Sequence, residues 1–284
     1  MELYNFYGTA EGTAICLGDF DGAHLGHRQV FFEAAKTGDW GALLFTHNSK
    51  GEKEILTLSE KLQILKNLGA RYAIAADFKK ELKEKSPEEF VELLKSLKVK
   101  TVAAGYDYRF GKGAAGNAEL LKKLCEKNGM NVVTVAAKEI DGEPVKSTKI
   151  RRLIKDGNIK EANILLGSPY IVSGKVCKGL GNGRLLGFPT ANLEFSEDKL
   201  LPKDSVYKGR VKKNAAVINV GKNPTFSASK RTVEVHIIGE ERDLYGKTVT
   251  VEFLDRIRDE IKFDDKNELI SQIKRDIETA KEEE

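Results

Sequence analysis

A change of rhythm after residue 166 constrains this chain more than any other feature. Up to that point, short apolar runs alternate with amphipathic stretches. Thr13–Leu17, Ala42–Phe45, Tyr72–Ala75, Thr101–Ala104 and Val132–Val135 read as buried strands. Between them, Leu58–Leu68 carries apolar residues at 58, 62, 65 and 68 behind Thr57 and Glu60, the spacing of a capping box. Ser86-Pro87-Glu88-Glu89 repeats that start signal before Phe90–Leu97. Such alternation predicts a parallel sheet with helices on both faces, whose ligands bind beyond the carboxyl ends of the strands. After Leu166-Gly167-Ser168-Pro169, the runs Ile171–Cys177, Val206–Val211, Ala216–Val220, Thr232–Ile238 and Thr248–Leu254 are separated by turns instead of helices. That pattern predicts an antiparallel barrel or sandwich, and one helix, Lys266–Lys281, closes the chain. The expected division is 1–167 and 168–284.

With 284 residues, 40% of them hydrophobic, each half has enough apolar material for a core. No window approaches eighteen consecutive apolar residues, and MELYNFYGTAEG lacks the basic and apolar regions of a signal peptide. Cys16, Cys125 and Cys177 form no CxxC pair or even framework. The net charge of +4 is spread through mixed-sign stretches without a basic stripe. These features predict a cytoplasmic protein with no membrane, nucleic-acid or obligate protein partner.

The first half carries three polar constellations. Strand one runs into Gly18-Asp19-Phe20-Asp21-Gly22-Ala23-His24-Leu25-Gly26-His27-Arg28. Gly22 and Gly26 admit a close ligand, a helix start favours phosphate, and His24 and His27 share one face. The pattern suits a nucleoside triphosphate, although an isolated HxxH could equally be a metal pair or a helix cap. Gly105-Tyr106-Asp107-Tyr108-Arg109-Phe110-Gly111-Lys112-Gly113 follows the fourth strand. There Arg109 and Lys112 could meet phosphates and the aromatic residues could line a ring pocket; a plain glycine turn is the alternative. Lys146-Ser147-Thr148-Lys149-Ile150-Arg151 opens another helix and reads as a second phosphate clamp or as simple N-caps.

In the second half, Gly179–Asn192 has glycines at 179, 181, 183 and 187, followed by Pro189-Thr190-Ala191-Asn192. Backbone N–H groups of such a loop, including Gly181 and Gly183, can wrap phosphates beside Arg184. Thr190 and Asn192 offer neutral oxygens suited to Mg²⁺. Thr232, Glu234 and His236 share the polar face of a strand, where a glutamate can accept a proton from an attacking hydroxyl or merely be solvated.

The DGxHxGH, GxDxRFG and STxIR segments, followed by GRLLGFPTANL, NVGKNPTF, VEVHI, DLYG and RDEIKF, resemble the bacterial bifunctional riboflavin kinase/FAD synthetases over nearly the whole chain. The resemblance implies a Rossmann-like nucleotidyltransferase domain followed by a small antiparallel β-barrel. It implies phosphorylation of riboflavin to FMN and adenylylation of FMN to FAD, both with ATP and Mg²⁺. His24 and His27 would stabilise the transferred phosphate, with Gly22, Asn48, Ser147, Thr148 and Arg151 around the triphosphate. Gly105, Asp107 and Arg109 would contact nucleotide and flavin. Glu234 would be the kinase base, Thr190 and Asn192 would bind Mg·ATP, and Arg258, Lys262 and Phe263 would lie near the flavin; His236 is expected to be structural. Phe45–Lys50 departs from the family's TFxPHP-like loop: both prolines are missing and Asn48 stands where a histidine is expected. Lys146 likewise replaces a serine. The competing reading is therefore a riboflavin kinase with a weakened adenylyltransferase module, and a more distant one is a flavin sensor without turnover.

Overall fold

The computed structural model describes residues 2–5, 10–47, 51–179, 182–222, 231–240 and 243–282. Two compact units make up the chain, Met1–Ser147 and Thr148–Glu284. The first begins with strand β1 (Glu2–Asn5), β2 (Ala14–Leu17), helix α1 (Leu25–Ala35), β3 (Trp40–Phe45), α2 (Leu58–Asn67) and β4 (Tyr72–Ala76). It continues with α3 (Pro87–Ser96), β5 (Thr101–Gly105), α4 (Ala118–Lys127), β6 (Asn131–Val135) and a small hairpin, β7 (Glu139–Ile140) and β8 (Glu143–Pro144). Both expected capping boxes are present, Thr57 with Glu60 on α2 and Ser86 with Glu89 on α3.

The sheet order is β1-β4-β3-β2-β5-β6, parallel except for β1, which pairs antiparallel with β4. From β2 the chain winds outward through β3 and β4, then returns to the other side of β2 as β5. The switch point therefore lies between β2 and β5, where Leu17 pairs with Ala104. The loops leaving these two strands share the one crevice where an open α/β sheet binds ligands. Alternation along β2 builds a core on each face. Ile15 and Leu17 join Phe90, Val91 and Leu94 of α3 with Leu121 and Cys125 of α4. Cys16, on the opposite face, reaches the carbonyl of Val30 on α1.

The second unit holds most of α5 (Ser147–Asp156), then α6 (Ile159–Leu166), β9 (Tyr170–Cys177), the short α7 (Asn182–Leu185) and β10 (Ala191–Glu194). β11 (Ser205–Val211), β12 (Asn214–Lys222), β13 (Arg231–Ile237), β14 (Thr248–Asp259) and α8 (Lys266–Lys281) complete it. The strands close into a barrel in the order β10-β13-β12-β11-β14-β9, so the sandwich alternative falls. The unit begins ahead of the 167/168 boundary drawn from the sequence. One reason is Asn163 on α6, whose amide donates to the carbonyls of Phe253 (2.9 Å) and Leu254 (3.3 Å) and whose oxygen accepts from Tyr170 N–H (2.7 Å). These bonds fasten α6 to two barrel strands.

Helix α8 is held by a fork. Arg258 on β14 donates through Nε to Asp276 Oδ1 (3.0 Å) and through Nη2 to Oδ2 (2.8 Å). Gln272 donates to the same Asp276 Oδ1 at 2.8 Å, and the Asp276 side chain is 3% exposed. Removing the carboxylate strands a mostly buried guanidinium. Asp276→Ala is expected to lower the stability of the barrel unit by ~3 kcal/mol in chemical denaturation; a loss below ~1 kcal/mol would show that the fork does not hold the helix.

Candidate active sites

In the first unit, the turn after β2 is built from conformations that most residues avoid. Phe20 (φ 49°), Gly22 (φ 91°) and Ala23 (φ 42°) lie in the left-handed region, which costs a non-glycine residue on the order of 1–2 kcal/mol. Packing compensates for this. The Phe20 ring is buried against Phe31 (4.8 Å between centroids) and meets the His27 ring edge-on (5.3 Å), while the Ala23 carbonyl accepts from Arg28 Nε at 3.0 Å. Asp21 is turned inward, and its Oδ1 accepts from the backbone N–H of Ile55 (2.8 Å) and Leu56 (3.4 Å). Ser147 Oγ donates to the Asp21 carbonyl at 2.9 Å. One turn is thus bolted both to the segment before α2 and to the start of α5.

His24 is the N-cap of α1, and its Nδ1 accepts from His27 N–H at 3.4 Å. That role leaves the proton on Nε2, so the ring offers an N–H donor to a ligand. The two imidazoles stack with centroids 3.6 Å apart. Burial holds His24 down to about pKa 4. Burial, then the neighbouring His24, then Lys61 hold His27 well below the ordinary 6.5. Both rings are therefore neutral at physiological pH. His27 Nδ1 is buried without a partner among the described residues, leaving Nε2 as its usable nitrogen. Among those residues no three His, Cys, Asp or Glu side chains gather as a metal site.

The GxDxRFG loop follows β5 on the other side of the switch point, with Asp107 and Arg109 exposed and Gly105 ending the strand. Two expectations for this loop need correction. Tyr108 and Phe110 stack on each other (5.9 Å) and pack into the core with Phe90, so they do not line a ring pocket, and only Tyr106 is exposed. Lys112 pairs with Glu84 (2.9 Å) rather than standing free for phosphate. On α5, Thr148 is exposed and Arg151 buried. Asn48 lies outside the described residues, as does Gly181 of the second unit.

Sequence reasoning missed Lys61 and Glu54. Both are buried, with Lys61 Nζ 3.9 Å from Glu54 Oε1. A lysine on α2 one position from the apolar stripe was the only available signal. Its charge is one reason that His27 stays neutral.

In the second unit, a cavity of about 470 Å³ is lined by Arg184, Pro189, Thr190, Ala191 and Val235, together with Glu240, Asp243, Leu244 and Tyr245. Only Arg184 and Thr190 of this lining were expected. Gly183 is required there, since a Cβ would meet the Phe188 carbonyl at 2.5 Å. His236 is structural: its Nδ1 bonds the Pro189 carbonyl (2.8 Å) and its ring meets Phe188 edge-on.

Ala191 pairs with Val235 beside the cavity, and the next pair, Asn192 with Glu234, faces away from the barrel interior. Register carries this outer row further, from Glu234 to Asn219 on β12, to Val206 on β11 and to Arg258 on β14. Burial raises the Glu234 carboxyl above its ordinary value. Arg258 is engaged by Asp276, and Phe263 lies against its guanidinium (5.9 Å); Lys262 is exposed.

A family model described as FAD synthetase matches residues 8–149, and one described as riboflavin kinase matches 166–283. A bifunctional riboflavin kinase/FMN adenylyltransferase from Haemophilus influenzae is 32% identical, covering 98% of this chain and 96% of the relative. The protein of that name from Listeria monocytogenes is 33% identical over 92% and 89% of the two chains. A crystal structure described as a macrolide-efflux protein from Streptococcus pneumoniae superposes with a TM-score of 0.86 at 34% identity, over 98% of this chain and 96% of that one.

Protonation of the buried histidines sets a pH window. Below about 6.5 the unfolded chain takes up protons that folded His24 refuses until about pH 4. Stability of the first unit is expected to fall through that window, by up to about 1.4 kcal/mol per pH unit for His24. His24→Asn keeps an N-cap acceptor and should flatten the decline in denaturation curves taken from pH 7 to 4; an unchanged slope would contradict the assignment.

Proposed function

The chain belongs to the bifunctional riboflavin kinase/FMN adenylyltransferase family, and on that premise we propose which side chains perform its two steps. The protein phosphorylates riboflavin to FMN and adenylylates FMN to FAD, with ATP as the second substrate of both reactions. The adenylyl transfer belongs to the unit matched over 8–149 and the kinase to that matched over 166–283; α5 and α6 fall largely between the two matches.

The kinase assignment rests on one observation: a half-buried glutamate with a raised pKa, paired across the sheet with Asn192, one residue on from the Ala191–Val235 pair that lines the cavity with Arg184 and Thr190. The ribityl 5′-hydroxyl attacks the γ-phosphorus of ATP. As the new O–P bond forms, the bond to ADP breaks and the hydroxyl proton passes to Glu234. Burial makes Glu234 a stronger base than a solvated glutamate, at the cost of losing its charge at a higher pH. Arg184 and Gly183 grip the phosphates, and Gly181 is assigned to the same task. Thr190 and Asn192 offer neutral oxygens, a donor set that would hold Mg²⁺ arriving with ATP, which would neutralise charge on the phosphates. The flavin lies toward Arg258, Lys262 and Phe263, with Arg258 held in place by Asp276.

In the adenylyl step, an FMN phosphate oxygen attacks the α-phosphorus and pyrophosphate leaves, so no proton has to move. Two neutral imidazoles at the N-terminus of α1 suit this chemistry, because they donate N–H bonds to developing negative charge without releasing a proton. Gly22 allows close approach, Ser147, Thr148 and Arg151 hold the triphosphate, and Gly105, Asp107 and Arg109 face nucleotide and flavin across the switch point. Asn48 supplies an uncharged hydrogen bond where relatives place a histidine. The cytoplasm suits a chain that uses ATP twice; no helix among the described residues is long and apolar enough to cross a membrane.

Separation of the two activities tests these assignments. Glu234→Gln is expected to cut FMN formation by at least about 100-fold while FAD formation from supplied FMN persists. His27→Ala should do the reverse. If either variant loses both activities while remaining folded, the two-site assignment fails.

A further inference from the structure

The outer row of the barrel contains Asn219, the first residue of the NVGKNPTF segment, to which the motifs assign no role. Asn219 lies directly across from Glu234 on β12, as Asn192 does on β10, so the glutamate sits between two amides on one face. Side chains directly opposite on antiparallel strands have Cβ atoms about 5 Å apart. Asn219 is half-buried, and it is the one polar residue of the stretch Ala215–Val220. Among the described residues, neither its amide nor the Glu234 carboxylate has a hydrogen-bond partner. An amide and a carboxylate side by side, uncommitted to other described residues, are free to take the hydroxyls of a ligand.

The row also has a direction. Asn192 stands on the nucleotide side of Glu234; Asn219, then buried Val206, then Arg258 with Phe263 lie on the other. From Glu234 to Arg258 is three strand spacings, roughly 14 Å. A hydroxylated five-carbon chain ending in a flat tricyclic ring, with its terminal hydroxyl at Glu234, must cross Asn219 before its ring reaches Phe263. We infer that Asn219 is a substrate-binding residue of the kinase site, whose amide hydrogen-bonds a secondary hydroxyl of the ribityl chain and so orients the attacking hydroxyl toward Glu234. Valine or alanine at 219 would serve the barrel equally well; the amide serves the substrate.

This inference rests on Glu234 being the base, and the experiment keeps the two apart. Riboflavin phosphorylation is measured for Glu234→Gln, Asn219→Ala, Asn219→Ser and Asn219→Asp, with thermal melting and FAD formation from FMN as controls. Asn219→Ala is expected to raise the KM for riboflavin roughly 10-fold with the KM for ATP unchanged, as expected for one lost hydrogen bond in a desolvated site. Asn219→Ser, which keeps a hydroxyl, should recover part of that loss. Asn219→Asp places a second carboxylate beside Glu234 and should move the acid limb of the kcat profile to higher pH. An unchanged riboflavin KM in Asn219→Ala, or equal losses for riboflavin and ATP, would overturn the inference. If Asn219→Ala does not fold, the serine and aspartate variants decide: a parental riboflavin KM in the first with a parental pH profile in the second overturns it. Full kinase activity in Glu234→Gln would instead overturn the base assignment.

Discussion

Strand register is the interaction on which both sites depend. In the first unit, parallel pairing sets Leu17 beside Ala104, so the loops leaving β2 and β5 emerge at one level on either side of the switch point. In the second, antiparallel pairing sets Asn192, Glu234 and Asn219 in one row. A slip of one residue would turn Glu234 into the barrel and bring Val233 or Val235 outward. Closure of the barrel opposes such a slip, because every strand is paired on both sides and the inward-facing set of β13, Val233, Val235 and Ile237, is apolar.

The two sites handle charge in opposite ways. Around the turn of the first unit, burial keeps two imidazoles neutral, aided at His27 by His24 and Lys61, and the proposed phosphate position lies at a helix N-terminus. The strained backbone of Phe20 and Ala23 is tolerated because Asp21, Phe20 and Ser147 anchor the turn from three directions. In the second unit, burial instead raises the carboxyl of Glu234, the proposed base. The difference follows the chemistry: one nucleophile is a phosphate that carries no proton to be removed, the other an alcohol that must lose one.

Much of this was legible in the sequence because it is local. Period-two and helical patterns separate the halves, and capping boxes at Thr57 and Ser86 mark real helix starts. The histidine pair is recognisable from its place after a strand and a glycine turn. What escaped is non-local. β1 and β10 are four residues each, too short for a pattern to declare itself. The attachment of α6 depends on Asn163 meeting carbonyls ninety positions away. Tyr108 and Phe110 alternate with polar residues in a glycine-rich loop, which suggested a pocket, yet burial in the core was open to them. Lys61 carries no motif and Asn219 only opens the NVGKNPTF segment, so the meaning of both comes from what the fold sets beside them.

The central claim is that one chain holds two working sites that act in sequence, the product of the barrel site being the substrate of the sheet site. Incubating the purified protein with riboflavin and Mg·ATP and separating the flavins over time tests it directly. The account predicts that FMN rises first and is then consumed as FAD accumulates; FMN that accumulates with no FAD at any time would contradict it.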